Sequence, residues 1–269
     1  MGARESDIAD YACSREGPTR HAILIDPADQ TPDMAAKRSL AAVAAGSSMV
    51  LVGGSSDTDM ENVHETVVAI QEALELVEWA STQDAGTENL SKAPVVLFPQ
   101  GAAALSPAAD AITFMMLMNS TKREFLVGEQ VRGAPFLQQF GVEALPTGYV
   151  VCAPGGRVGE VGAAELIQPT DTELVEAYAL CAKMYGFSLL YLEAGSGATS
   201  PVHPDLIAKA RSVDGLTLLV GGGLRSGEDV ARAVSSGADW IVTGTVTEDA
   251  TSLDELRTRL TEIIKACSA

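Results

Sequence analysis

The chain has 269 residues, 46% of them hydrophobic, and a formal net charge of −18. That length supports one large domain or two small ones, and the acidic balance argues against nucleic acid or an anionic membrane as a partner. The N-terminal stretch "MGARESDIADYACSREGPTR" lacks an apolar core of the signal-peptide kind, and Cys13, Cys152, Cys181 and Cys267 are scattered without CxxC spacing. The expectation is a protein of the cytoplasm with reduced thiols and no structural zinc.

Residues 1–20 read as an extension and 21–269 as a single domain. In chain order, the β-rich runs are "HAILID" (21–26), "SMVLVGG" (48–54), "PVVLFP" (94–99), "AITFMML" (111–117), "TGYVVCA" (147–153), "LLYLEA" (189–194), "LTLLVGG" (216–222) and "WIVTGT" (240–245). They are continuous rather than alternating, as expected for parallel strands covered on both faces. Helical patterns separate most of them, such as "SGEDVARAVSSGA", which starts at an N-cap Ser226 and stops at Gly237. The predicted fold is α/β, a (β/α)8 barrel, with a doubly wound open sheet as the alternative. "STQDAGTENLSKA" (81–93) reads as a surface loop.

One connection is irregular. Between the third and fourth strands lies only "QGAAALSPAAD", too rich in Gly and Pro markers for a full helix. A barrel whose helix after strand 3 is missing or reduced has an opening in its side; a short helical turn without functional meaning is the other reading. The run "FMMLMNS" (114–120) is ordinary core material, but beside such an opening it would line a lipid groove.

Active sites of these barrels lie at the C-terminal ends of the strands. Those ends carry Asp26, Gly53-Gly54-Ser55-Ser56, Glu193 with Gly195-Ser196-Gly197, Gly221-Gly222-Gly223 and Gly244-Thr245. Glycine-rich loops after strands 7 and 8 form a recurrent phosphate site, because backbone amides approach phosphate oxygens only where no Cβ intervenes. Asp26 beside the Ser55 hydroxyl suits Mg2+, which takes few protein ligands and completes its shell with water and phosphate oxygens. A buried strand has no use for Glu193 unless it pairs or reacts. None of His21, His64 and His203 stands at a strand end, and Cys152 reads as core.

Seven stretches in order, "HAILIDP", "MVLVGGSS", "AITFMMLMNS", "TGYVVCAPGGRVGEVG", "YLEAGSGA", "LLVGGGLRSGEDV" and "ADWIVTGTV", resemble the geranylgeranylglyceryl phosphate synthase family, which includes bacterial prenylglyceryl phosphate synthases. The resemblance, over residues 21–265, implies an Mg2+-dependent prenyltransferase on a (β/α)8 barrel that lacks the helix after strand 3 and holds the prenyl chain there. It also implies a homodimer. By position, Asp26 and Ser55 match the Mg2+–diphosphate residues. Tyr191, Glu193, Ser196, Gly197, Gly222, Gly223, Gly244 and Thr245 match the site for the acceptor's phosphate and hydroxyl, with Glu193 as the proton acceptor.

Two departures stand out. The family's Asp-Pro-Asp-Lys after strand 1 is Asp26-Pro27-Ala28-Asp29 here, and after strand 5 an acidic residue is replaced by Ala153 while Arg157 is added. On these grounds the acceptor expected is 3-phosphoglycerate, with farnesyl diphosphate as donor, as in the branch that serves moenomycin biosynthesis. Arg157 would then hold the acceptor's carboxylate. The alternatives are a geranylgeranyl- or heptaprenylglyceryl phosphate synthase using glycerol 1-phosphate, a phosphosugar isomerase, and a phosphate-binding barrel without catalysis. Phe98, Phe114, Phe125 and Tyr149 are the candidates for closing the prenyl tunnel.

Overall fold

Eight parallel strands close on themselves in sequence order, the last pairing with the first. They are β1 (Arg20–Ile25), β2 (Met49–Val52), β3 (Val95–Leu97), β4 (Ala111–Leu117), β5 (Glu143–Val151), β6 (Leu189–Glu193), β7 (Thr217–Gly221) and β8 (Trp240–Thr243). The computed structural model describes residues 8–54, 57–83 and 92–268. The (β/α)8 barrel expected from the apolar runs is therefore the observed fold, and the open sheet is not.

The continuous runs are explained by burial on two sides. Inward residues such as Leu51, Val96, Leu145, Leu189, Leu219 and Val242 fill the barrel, while Ile23, Val50, Leu97, Leu190, Val220 and Ile241 meet the surrounding helices. Alternate residues of a strand face opposite ways, so both sets must be apolar. The outer ring comprises α2 (Pro32–Ala45), α3 (Met60–Gln83), α4 (Glu129–Phe140), α6 (Thr172–Met184), α7 (Pro204–Arg211), α8 (Gly227–Ser235) and α10 (Leu253–Cys267). Shorter helices α1 (Ile8–Cys13), α5 (Gly156–Val161) and α9 (Thr245–Glu248) precede β1 or sit in the loops after β5 and β8.

Caps fix the helix starts. Thr31 caps α2 by accepting from the Met34 amide, and Pro32 follows at the first turn. Asp26 is thus free of that duty. At α8, Ser226 and Asp229 form a capping box, as the pattern predicted.

Three differences from the sequence reading bear most on the fold. Strand β5 begins at Glu143, four residues early, because its first part pairs with β4 alone and tolerates Pro146, whose register partner is Phe114. Helix α3 continues through Gln83, into the stretch read as a surface loop; residues 84–91 of that stretch lie outside the described residues. Helix α1, within the N-terminal extension, packs on the bottom of the barrel. There the Trp240 indole donates to the Ala12 carbonyl at 2.9 Å, and the Arg20 guanidinium stacks 4.0 Å from the Trp240 ring.

No helix follows β3: residues 98–110 form turns and irregular backbone. After β4 the chain enters a π-helical turn, Glu124–Gly128, which leads directly into α4. The barrel wall between α3 and α4 is consequently open at the level of β3 and β4.

Candidate active site

Glu193, the last residue of β6, is 6% exposed. Its carboxylate accepts from the Gly195 amide at 2.5 Å and from the Tyr191 hydroxyl two residues earlier on the same strand face. Burial raises its pKa, and those two hydrogen bonds pull it part of the way back. The space around it exists because residue 222 is glycine, with a φ of +79°. Tyr191 itself is 1% exposed, and a Cβ at Gly221 would meet its hydroxyl at 2.1 Å. Its hydroxyl thus sits between the Glu193 carboxylate and the glycines that end β7. Beneath it, Phe98, Tyr149 and Tyr191 pack mutually with ring centroids 5.2–5.8 Å apart.

The loop residues singled out for phosphate come together. The Gly197 amide donates to Thr245 Oγ1 at 3.3 Å, joining the loops after β6 and β8. Arg225, after β7, donates to the Gly197 carbonyl at 3.3 Å. Gly223, with a φ of +69°, lies where a Cβ would meet the Ser200 carbonyl at 2.6 Å. Gly222, Gly223 and Gly244 thus share one end of the barrel with Ser196, Gly197 and Thr245. Arg225 was not picked out from sequence; a cation between a glycine triplet and a helix cap was the available sign.

Asp26 follows β1, with Oδ1 accepting from the Ala28 amide at 2.9 Å. A Cβ at Gly54 would lie 2.0 Å from Asp26 Oδ2, so that glycine makes room for the carboxylate. Burial pushes the Asp26 pKa up to about 6. Among the described residues, no three His, Cys, Asp or Glu side chains are grouped to enclose a metal. Asp26 and the neighbouring Asp29 fit Mg2+ in its usual role, in which one or two carboxylates share the ion with substrate phosphates. Ser55, the other expected ligand, lies outside the described residues.

One cavity of about 360 Å3 links these parts. Asp26, Gly54, Arg157, Glu193, Ser196 and Gly197 line its mouth, and Leu105, Ile112, Phe114, Gly133 and Leu137 line its far end. The far end is the opening left by the absent helix, walled by residues 98–105 and by α4. Phe98, Phe114, Phe125 and Tyr149 all border it. Two polar clasps hold that wall: Glu129 accepts from the Ala102 amide at 2.7 Å, and the Gln130 side-chain amide donates to the Met115 carbonyl. Asn119 bonds the Val151 amide and carbonyl and the Glu165 carbonyl, fixing the loop that carries α5 and Arg157. Sequence reasoning passed over Glu129, Gln130 and Asn119; only Asn119, a polar residue ending an apolar run, gave any sign.

The model of the PcrB family matches residues 14–266. The chain belongs to that family. A relative from Methanothrix thermoacetophila named geranylgeranylglyceryl phosphate synthase is 42% identical over 230 residues, covering 85% of this chain and 84% of that one. Among solved structures, wild-type GGGPS from Thermoplasma volcanium superposes with a TM-score of 0.87 at 38% identity, covering 98% of each chain. The (S)-3-O-geranylgeranylglyceryl phosphate synthase of Thermoplasma acidophilum, solved with its substrate sn-glycerol-1-phosphate, also gives 0.87, at 32% identity and 98% and 99% coverage.

Proposed function

We propose that this PcrB-family chain is a prenyltransferase that joins an allylic prenyl diphosphate to the hydroxyl of glycerol 1-phosphate, forming an ether and releasing diphosphate. The observation that carries this reading is the cavity itself. One end offers a buried carboxylate and glycine loops, and the other is an apolar recess, so the space suits a donor with a charged head and a lipid tail. The relatives support glycerol 1-phosphate as acceptor better than 3-phosphoglycerate, and geranylgeranyl better than farnesyl as donor.

In this reading the loops after β6, β7 and β8 hold the acceptor's phosphate through Ser196, Gly197, Gly222, Gly223, Gly244 and Thr245. That grip places the acceptor hydroxyl against Glu193, and much of the rate gain is positional. Glu193 takes the hydroxyl proton as the ether bond forms; its raised pKa matches it to that task. Asp26, with Asp29 beside it, would hold Mg2+, whose bound charge would offset that of the departing diphosphate. The aromatic trio under Glu193 keeps water from the reacting carbon.

The chain works in this proposal as one barrel domain in the cytoplasm and, by its family resemblance, as a homodimer. No helix among the described residues is long and apolar enough to cross a membrane.

The decisive assay crosses farnesyl, geranylgeranyl and heptaprenyl diphosphates with glycerol 1-phosphate and 3-phosphoglycerate in Mg2+, with products read by mass spectrometry. Geranylgeranyl transfer to glycerol phosphate is expected. Farnesyl transfer to phosphoglycerate would restore the sequence-based acceptor, and no product in any combination would leave the isomerase and binding-protein readings.

A further inference from the structure

Among the described residues lining the cavity, Arg157 is the one basic side chain, whereas Asp26, Asp29, Glu129 and Glu193 are all acidic. A diphosphate brings several negative charges into that space. A wall of carboxylates alone would repel it.

Arg157 lies on α5, after β5, but its head is on the opposite rim. Its Nη2 donates to Asp57 Oδ2 at 3.1 Å, a contact that spans the mouth to the loop after β2. That loop also carries Gly54, which abuts the Asp26 carboxylate. The guanidinium therefore stands over the β1–β2 rim. The glycine loops of β6 to β8 are tied instead to Arg225, through the Gly197 carbonyl. Each rim of the mouth has its own arginine.

The Arg157–Asp57 pair is 60% and 75% exposed. Ion pairs so open to water are weak and exchange readily. Arginine to phosphate is stronger, because the planar fork makes two parallel charge-assisted hydrogen bonds.

We propose that Arg157 exchanges Asp57 for the donor's diphosphate and so grips the leaving group, not an acceptor carboxylate. Asp57 is the resting partner that keeps the guanidinium over the mouth. This rests on the prenyl-transfer reading for its substrate, but the binding step is measurable without turnover.

The test uses the full chain with Mg2+ and two readouts: calorimetric binding of inorganic pyrophosphate, and separate KM values for prenyl diphosphate and glycerol 1-phosphate. Arg157→Ala is expected to weaken pyrophosphate and raise the donor KM roughly tenfold or more, the scale of a lost charged hydrogen bond, with the acceptor KM unchanged. Arg157→Lys recovers part of the loss, and Asp57→Asn tightens pyrophosphate. Pyrophosphate affinity unchanged in Arg157→Ala overturns the proposal, as does an effect on the acceptor KM alone. Wild-type protein that binds pyrophosphate through Arg157 yet turns over no prenyl donor would sink the prenyl-transfer reading and leave the anion grip standing. Thermal melts of each variant separate misfolding from lost binding.

Discussion

The Oε1 atom of Glu193 occupies the position a side chain at Gly222 would need: a Cβ there would come within 2.1 Å of it. The proposed base and the proposed phosphate loop are thus packed against each other, and any side chain at residue 222 would displace the carboxylate.

Gly222→Ala should therefore cost far more activity than its size implies. Beyond the contact, alanine pays about 1–2 kcal/mol at a left-handed φ. We expect turnover to drop by at least tenfold while the far-ultraviolet circular dichroism is retained. Unchanged kcat would mean that Glu193 does not need its present position.

Glu193→Gln tests the base directly. A loss of about 10² or more in kcat is expected, the usual range for a positioned general base. Because burial raises the Glu193 pKa, wild-type kcat should fall on the acid side at a pH above that of an ordinary glutamate, and residual activity of the variant should lack that limb. For stability the sign is reversed. A carboxyl with a raised folded-state pKa stabilises the fold below its unfolded pKa and loses that contribution as pH rises through the folded value, so Glu193→Gln should melt higher than wild type at neutral pH.

Asp26 makes the same argument with a number attached. Its pKa of about 6, against an ordinary 3.8, means its contribution to stability is present below about pH 4 and lost as pH rises through about 6. Asp26→Asn should raise Tm at pH 8, after solvent screening by an amount near 1 kcal/mol, or roughly 2–4 °C for a chain of this size. It should also abolish most Mg2+-dependent turnover. A variant that is both active and no more stable would contradict the placement of this carboxylate.

Gly133 bears on tail length. On α4 it faces Leu105 and Ala102 across the recess, and a Cβ there would make ordinary contacts at 3.6 and 3.7 Å. Gly133→Ala should be tolerated and slightly stabilising, by about 0.5–1 kcal/mol for a helix interior. Gly133→Phe should fill the recess, so that kcat/KM for geranylgeranyl diphosphate falls while that for farnesyl diphosphate is largely kept. Equal losses with both donors would place the tail elsewhere.

The barrel was legible because parallel strands buried on both faces must be apolar throughout, and eight such runs stand out in this chain. Glu193 was legible for the converse reason, as a charge where burial forbids one without a purpose. Boundaries failed where glycine ends a ladder: Gly53-Gly54 and Gly244 look like continuations of β2 and β8 but turn away from them. Helix α1 is six residues long, too short for a periodic pattern, and is held by the Trp240 and Arg20 contacts. The destination of Arg157 was unreadable because its partner lies 100 positions away, on the opposite side of a closed ring. Tyr191 matched the acceptor site by position, and the folded strand adds that its hydroxyl bonds the Glu193 carboxylate.

The absent helix after β3 has one more consequence. The loops around Glu193 hang from the strand ends, whereas the proposed tail recess is bounded by the irregular segment 99–110 and the outer helix α4. Edits to that boundary leave the hydrogen bonds around Glu193 and Asp26 untouched. Under the prenyl-transfer proposal, chemistry and chain length are therefore separable in this architecture: substitutions in that wall retune the tail admitted and leave the reacting groups in place.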